Sequence, residues 1–164
     1  MNTINGKTDL LSMLPDELEG LLAGMGQPRF RAQQLFSWLH EKRVDSFDKM
    51  SNLPGALRER LAAECEIAPI IERRRQQARD GTIKFLFALG DGNTIESVLM
   101  HHDYGNSLCI SSQVGCRMGC RFCASTIGGK VRDLLASEML GQIYAVERLT
   151  GKRIDSVVMM GIGE

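Results

Sequence analysis

Cys116-Arg-Met-Gly-Cys120-Arg-Phe-Cys123 puts three thiols on one short loop, separated by three residues and then by two. Thiolate is the soft ligand that iron–sulfur clusters and zinc prefer. A structural zinc site is closed by four ligands, usually as two paired knuckles. Here the nearest cysteine outside the loop, Cys109, sits on an expected strand. A four-iron cluster gripped by three cysteines keeps one iron open, and an open iron can bind and activate a small molecule. The spacing favours an open cluster over a closed zinc knuckle.

Outward from this loop the order is strand, loop, helix, strand. Residues 107–114 read as the strand and 115–130 as the loop. Ser137 is the expected cap of a helix carrying Met139, Leu140, Ile143, Tyr144 and Val146, which Gly151 ends. Residues 156–160 are a second, mostly apolar strand. Such a unit, followed by the strand that opens the next, predicts a parallel α/β barrel. Gly161-Ile-Gly163-Glu164 follows that strand at its carboxyl end, where ligands of parallel α/β folds gather. Glycine lets backbone approach a cofactor closely, and Glu164 can accept from an ammonium. A parallel strand with no following helix to cover it reads as a polypeptide cut short.

Upstream, residues 67–100 change to strand patterning. Asp80-Gly81 and Gly90-Asp-Gly92-Asn93 are hairpin signals, with Phe85, Phe87 and Leu89 alternating between them. Ile95, Ser97 and Leu99 fall on one face of the next strand, and Glu96, Val98 and Met100 on the other. Glu96 is therefore a carboxylate among apolar neighbours, which suits a general base, although a solvated strand glutamate fits the pattern equally well. Residues up to about 66 read as helical. Pro15 opens one helix, with Leu18, Leu21, Leu22 and Met25 at helical spacing; Ala32, Leu35, Phe36 and Leu39 mark a second; Leu57, Leu61 and Cys65 mark a third, with Cys65 a small buried residue. The organisation expected is 1–66 helical, 67–103 a β-hairpin connector, and 104–164 the start of the barrel.

Composition sets limits. The chain has 164 residues, 43% of them hydrophobic and 24% charged, with a formal net charge of zero. No global field attracts a polyanion, so any nucleic-acid contact must come from a local basic surface. Arg29, Arg31, Lys42 and Arg43 flank a helix bearing Phe36 and Trp38, and Arg73-Arg74-Arg75 is a second basic run. Acidic residues interleave with both, so each charge taken singly also fits a solvated face. His40, His101 and His102 show no ligand spacing and read as surface residues. No apolar run is long enough to span a bilayer, and the first residues lack a signal-peptide pattern. Five cysteines, clustered asymmetrically, do not form a secreted disulfide framework. A reducing cytoplasm is the expected compartment.

The cysteine loop, with Phe122 just before its last thiol, is the signature of radical S-adenosylmethionine enzymes. Longer stretches extend the likeness. Gly81-Thr-Ile-Lys-Phe, Asp91-Gly-Asn-Thr-Ile-Glu96-Ser-Val-Leu, Ser107-Leu-Cys109-Ile-Ser-Ser-Gln-Val-Gly-Cys116 and Met159-Met-Gly-Ile-Gly-Glu164 resemble the RlmN/Cfr family of RNA adenosine methyltransferases. Gln27-Pro-Arg-Phe-Arg-Ala-Gln-Gln-Leu-Phe-Ser-Trp-Leu-His40 and Phe47-Asp-Lys-Met-Ser-Asn-Leu-Pro54 resemble that family's N-terminal helical domain. The match runs in order over essentially the whole chain. Tyr104-Gly-Asn-Ser replaces the Arg-Ala-Thr of many relatives, and Asp133 stands where Asn is common; neither touches the cluster loop.

The resemblance implies a 4Fe-4S cluster on Cys116, Cys120 and Cys123, with S-adenosylmethionine at the open iron. Phe122 would pack near its adenine or simply beside the cluster, and Gly163 and Glu164 would line its methionine end. The substrates implied are ribosomal RNA and transfer RNA, methylated at adenosine C2, with the C8 chemistry of the Cfr branch as the alternative. Adenine C2 is electrophilic and carries no acidic proton, so ordinary nucleophilic methyl transfer fails there. The family methylates one of its own cysteines, adds the derived carbon radical to the ring, and resolves the covalent adduct through a transient disulfide. Cys109 matches the resolving cysteine, a buried strand cysteine being the other reading, and Glu96 the residue proposed to take the proton. A flavodoxin or ferredoxin would be the electron donor, and a monomer is expected. The methyl-carrying cysteine has no counterpart in these residues, so the chain alone is expected not to turn over. A non-catalytic iron–sulfur or zinc module is the competing reading.

Overall fold

The computed structural model describes residues 3–4, 6–67 and 70–163. The chain divides into two compact units, Met1–Ala68 and Pro69–Glu164.

The first unit begins with β1 (Thr3–Ile4) and β2 (Lys7–Asp9), then α1 (Pro15–Gly24), α2 (Phe30–Phe36) and α3 (Gly55–Glu64), and closes with β3 (Cys65–Glu66). Pro15 occupies the first turn of α1, where its missing N–H is not needed. The Glu17 carboxylate accepts from the Leu14 N–H at 2.7 Å and so caps the same end. Between α2 and α3 the chain makes a π-helical turn, Ser37–Glu41, and a 3-10 turn, Phe47–Lys49. Leu18, Leu22, Leu35, Leu39, Met50, Leu57 and Leu61 are all buried. The helical spacing of the sequence thus holds. The small sheet β1-β2-β3 was not legible, because its strands are only two or three residues long. Cys65 is buried as expected but lies on β3 beside Thr8, not on the helix. His40 differs too: it is half-buried against the Phe36 ring at 4.4 Å, and burial holds its pKa below the ordinary value.

The second unit is built on one five-stranded sheet. Its strands are β4 (Ile71–Gln77), β5 (Ile83–Ala88), β6 (Thr94–His102), β7 (Gly105–Cys109) and, later in the chain, β10 (Ser156–Val158), ordered β10-β7-β6-β5-β4. The two hairpins fall at the Gly81 and Gly92 turns, where φ is +88° and +85°. A separate two-stranded ribbon joins β8 (Gln113–Gly115) to β9 (Lys130–Asp133). Helix α4 (Ala136–Thr150) follows, and β10 returns parallel to β7 with Ser156 beside Ser107.

Ile83, Phe85, Phe87, Ile95, Leu99 and Leu108 form one core with Ala145 and Val146 of α4. Phe85 and Phe87 are fully buried and contribute about 2 kcal/mol each by burial alone. The expected βα unit and parallel strand are present. Two boundaries moved. The strand expected over 107–114 breaks into β7 and β8. Ser137 lies inside the first turn of α4, and the Glu138 carboxylate caps the helix instead, accepting from the Leu135 N–H at 2.8 Å. No helix among the described residues is long and apolar enough to cross a membrane.

Candidate active site

Strands β7 and β10 run parallel, and both deliver their carboxyl ends to the same region. From β7 the chain passes through Ile110, Ser111 and Ser112 into the cysteine loop; from β10 it passes into the Gly161–Gly163 turn. Backbone bonds lock the two segments: Gly161 N–H to Ile110 O at 3.0 Å, and Ser112 and Gln113 N–H to Ile162 O at 3.0 and 3.1 Å. A Cβ on Gly161 would lie 2.6 Å from Ile110 O, and one on Gly163, where φ is +119°, 2.6 Å from Ser112 Oγ. Glycine is needed at both positions because the turn packs directly on the chain's own segment 110–113. Glu164 lies outside the described residues.

A buried polar network fixes that junction. The Gln142 side chain on α4 accepts from Ser111 N–H and from Ser97 Oγ–H, both at 2.8 Å, and donates to Ser111 O at 2.9 Å. Ser111 Oγ donates to Glu96 O at 2.7 Å and accepts from Ile162 N–H at 3.1 Å. Ser97, Ser111 and Gln142 are almost wholly buried, so each of these bonds offsets a desolvation cost. None of the three was singled out from sequence as a site residue. The available signal was a glutamine on the apolar stripe of α4 and a serine between Ile95 and Leu99.

The cysteine loop is pinched at its base. The Gly129 carbonyl occupies the space a Cβ on Gly115 would need, and both glycines have φ of +67°. Within the loop, Cys116 N–H donates to Ser125 O at 3.0 Å, Cys123 N–H to Cys120 O at 3.1 Å, and Thr126 Oγ1–H to Cys123 O at 2.9 Å. Beyond the loop, Arg132 on β9 makes a two-pronged ion pair with Glu138 at 2.7 Å and a second with Asp91 at 2.7 Å. The hydrogen bonds that Arg132 donates to the Glu138 carboxylate raise its pKa further above the ordinary value. Asp133 is held by Lys130 and Gln113 at 2.7 and 2.9 Å.

Cys116 is buried, and Cys120 and Cys123 are partly exposed. Among the described residues no three His, Cys, Asp or Glu side chains are gathered closely enough to hold a metal ion. The donor chemistry still fits an iron–sulfur cluster. The loop offers three thiols and no carboxylate or imidazole. The Met118 N–H donates to Cys116 Sγ at 3.4 Å, an N–H···S bond of the kind that stabilises cluster thiolates. Phe122 does not pack on the protein: it is 93% exposed, and Met118 and Ile127 on the same loop are also exposed. Bare apolar side chains beside thiols suit a surface that a cofactor covers.

Glu96 and Cys109 share the opposite sheet face from the core. Cys109 on β7 is directly opposite Val98 on β6, and Glu96 is two residues from Val98 on the same side. Lys84 of β5 is also opposite Val98, and its ammonium pairs with Glu96 at 2.8 Å. Glu96 is thus flanked by apolar residues but is not a desolvated carboxylate; the ion pair was not anticipated.

Residues 8–67 match the family described as the ribosomal RNA large subunit methyltransferase N-terminal domain. A probable dual-specificity RNA methyltransferase RlmN from Lachnospira eligens is 56% identical over 96% of this chain and 45% of its own length. Its counterpart from Lachnoclostridium phytofermentans is 49% identical over 100% of this chain and 46% of its own length. The crystal structure of a radical SAM methyltransferase from Sphaerobacter thermophilus superposes with a TM-score of 0.87 at 41% identity, covering 96% of this chain and 47% of that one. The chain spans a little under half the length of these relatives. Its residues 8–67 thus match that N-terminal domain, and over nearly its whole length the chain is similar to the N-terminal part of RlmN methyltransferases.

Proposed function

We propose that these residues form the cluster-binding and cofactor-binding part of an enzyme that methylates C2 of adenosine in ribosomal RNA and transfer RNA. The observation that carries this reading is the three-cysteine loop standing beside a glycine turn at the carboxyl ends of two parallel strands. Cys116, Cys120 and Cys123 would hold a 4Fe-4S cluster, which when loaded supplies one electron to cleave S-adenosylmethionine. Gly163 and Glu164 would line the methionine end of that cofactor, with Glu164 as acceptor for its ammonium, and the exposed Phe122 ring would pack near its adenine. Cys109 attacks the cysteine sulfur that carries the covalent RNA adduct. A disulfide forms as that sulfur's bond to the RNA-bound carbon breaks and its electron pair passes into the ring. Glu96, oriented by Lys84, takes the proton that leaves C2. Residues 1–66 serve the RNA, and a flavodoxin or ferredoxin provides the electron to a monomeric protein in a reducing cytoplasm.

Anaerobic reconstitution of the purified chain tests this directly. About four irons and four sulfides per chain are expected, with a change in the electron paramagnetic resonance spectrum of the reduced protein on adding S-adenosylmethionine. Cys120→Ala should lose most of the iron. Stoichiometric zinc with no response to the sulfonium would overturn the assignment.

A further inference from the structure

The first unit carries a cleft of about 400 Å³ bordered by Phe30, Gln33, Trp38, Lys42 and Asn52, and by Glu41, whose carboxylate accepts from Ser37 Oγ–H. It is built on irregular backbone. Trp38 lies on the π-helical turn Ser37–Glu41, and Arg43 just beyond it has φ of +53°, a left-handed conformation that a non-glycine residue rarely adopts. Wide turns of this type inside helices concentrate at functional sites, as does local backbone strain.

The chemistry of the walls is specific. The Lys42 ammonium stands 3.5 Å from the centre of the Trp38 ring, and Trp38 Nε1–H donates to Asn52 Oδ1 at 2.5 Å, which fixes the indole plane. Phe30 is 54% exposed, with the Arg31 guanidinium 4.9 Å from its ring centre. Arg31 itself is anchored to Gln34 Oε1 at 2.7 Å and to Asn52 O at 2.9 Å. The exposed Gln33 amide has no hydrogen-bond partner among the described residues. Phe36, the other aromatic of this stripe, turns away to pack on His40.

We infer that this cleft receives one unpaired nucleobase of an RNA strand, stacked on Trp38 and read at its edge by the Gln33 amide. Proteins that grip single-stranded RNA pair an aromatic platform with cations for the adjoining phosphates and amides for the base edge. All three are present within one short helical segment. A duplex offers no free base face, so the occupant is a looped or single-stranded nucleotide. Lys42, now resting on the indole, would swing to the neighbouring phosphate when the base enters. The identification of the polymer as RNA rests on the function proposed above; the cleft itself is independent of the cluster.

Trp38 is the only tryptophan of the chain, so its fluorescence reports this site alone. Titrating the chain with a ten-nucleotide oligoadenylate should quench it saturably. The same length of RNA duplex, at equal phosphate concentration and salt, should leave it nearly unchanged. Binding followed by anisotropy of a labelled strand should weaken about tenfold in Trp38→Ala and clearly in Gln33→Ala, an exposed position that does not threaten folding. Circular dichroism of each variant checks that the helices persist. Equal affinity for duplex and single strand, or full affinity in Gln33→Ala and Trp38→Ala, would show a backbone-only basic surface and overturn the inference. So would quenching by a proline-rich peptide in place of RNA. Iron content and the response to S-adenosylmethionine are read separately, so failure of the cleft leaves the cluster assignment standing, and the reverse.

Discussion

Gly115 and Gly129 meet at the neck of the cysteine loop, with the Gly129 carbonyl filling the space where a side chain on Gly115 would begin. The contact joins the end of β8 to the residue just before β9, so the ribbon holds the loop closed independently of any cofactor. No other residue type fits at Gly115, where φ is left-handed and the approach is backbone to backbone; at Gly129 the left-handed φ alone favours glycine.

Gly115→Ala should therefore open the loop without unfolding the sheet. Left-handed strain costs about 1–2 kcal/mol, and displacement of the carbonyl adds to it. Limited proteolysis should show faster cleavage within residues 116–129, while the far-ultraviolet dichroism stays close to that of the parent. Unchanged cleavage would mean that the neck does not control the loop.

Gln142→Leu keeps the volume of the side chain but removes every bond it makes. Ser111 loses partners for its N–H and its C=O, and Ser97 loses its acceptor, all in a buried site. Orphaned buried groups cost about 1–3 kcal/mol each, so a loss of roughly 3 kcal/mol is expected in urea denaturation. Ser97→Ala should cost about 1 kcal/mol. If the leucine variant matched the parent, the network would be ornamental.

How far the chain could be read follows from the range of the signals. Helices α1 to α3 announced themselves through Leu18, Leu22, Leu35 and Leu61, because helical spacing is a local pattern. The β5–β6 hairpin did so through its glycine turn and alternating faces. The cysteine loop was legible because ligand chemistry restricts both residue type and spacing. What escaped was non-local. Gln142 is an ordinary polar residue until the fold brings Ser97 and Ser111 to it across 45 and 31 positions. Lys84 gains meaning only when the β5–β6 register sets it beside Glu96. The glycine neck depends on two residues at opposite ends of a loop, and strand pairs as short as β1 and β2 carry no periodicity at all.

Acid should expose the Arg132 cluster. Burial alone would push the Asp91 carboxyl up, but hydrogen bonds from Asn93 and Arg132 hold it below its ordinary 3.8. A carboxyl depressed in the folded state adds stability that is complete above its unfolded pKa and drains as pH falls through the folded one. Arg132, raised by its partners, keeps its charge throughout this range. The denaturation midpoint should thus be level near pH 6 and fall below about pH 4. Asp91→Asn should start lower at neutral pH and decline less steeply in acid. Parallel pH profiles for the two proteins would remove Asp91 from the account.

Thiol reactivity separates the five cysteines. Cys65 is buried on β3, and its pKa is pushed up to about 11, first by burial and then by the nearby Glu64 carboxylate. At pH 8 it holds almost no thiolate, and iodoacetamide reacts only with thiolate. Cys116 is also buried, whereas Cys109, Cys120 and Cys123 are partly exposed. Brief alkylation of the metal-free native chain, followed by peptide mass spectrometry, should modify Cys109, Cys120 and Cys123 first. Cys65 should remain unmodified until urea is added. The accessibility of Cys109 decides most, because a resolving thiol must reach a partner outside its own strand. Protection of Cys109 equal to that of Cys65 would return it to the status of a packed strand residue.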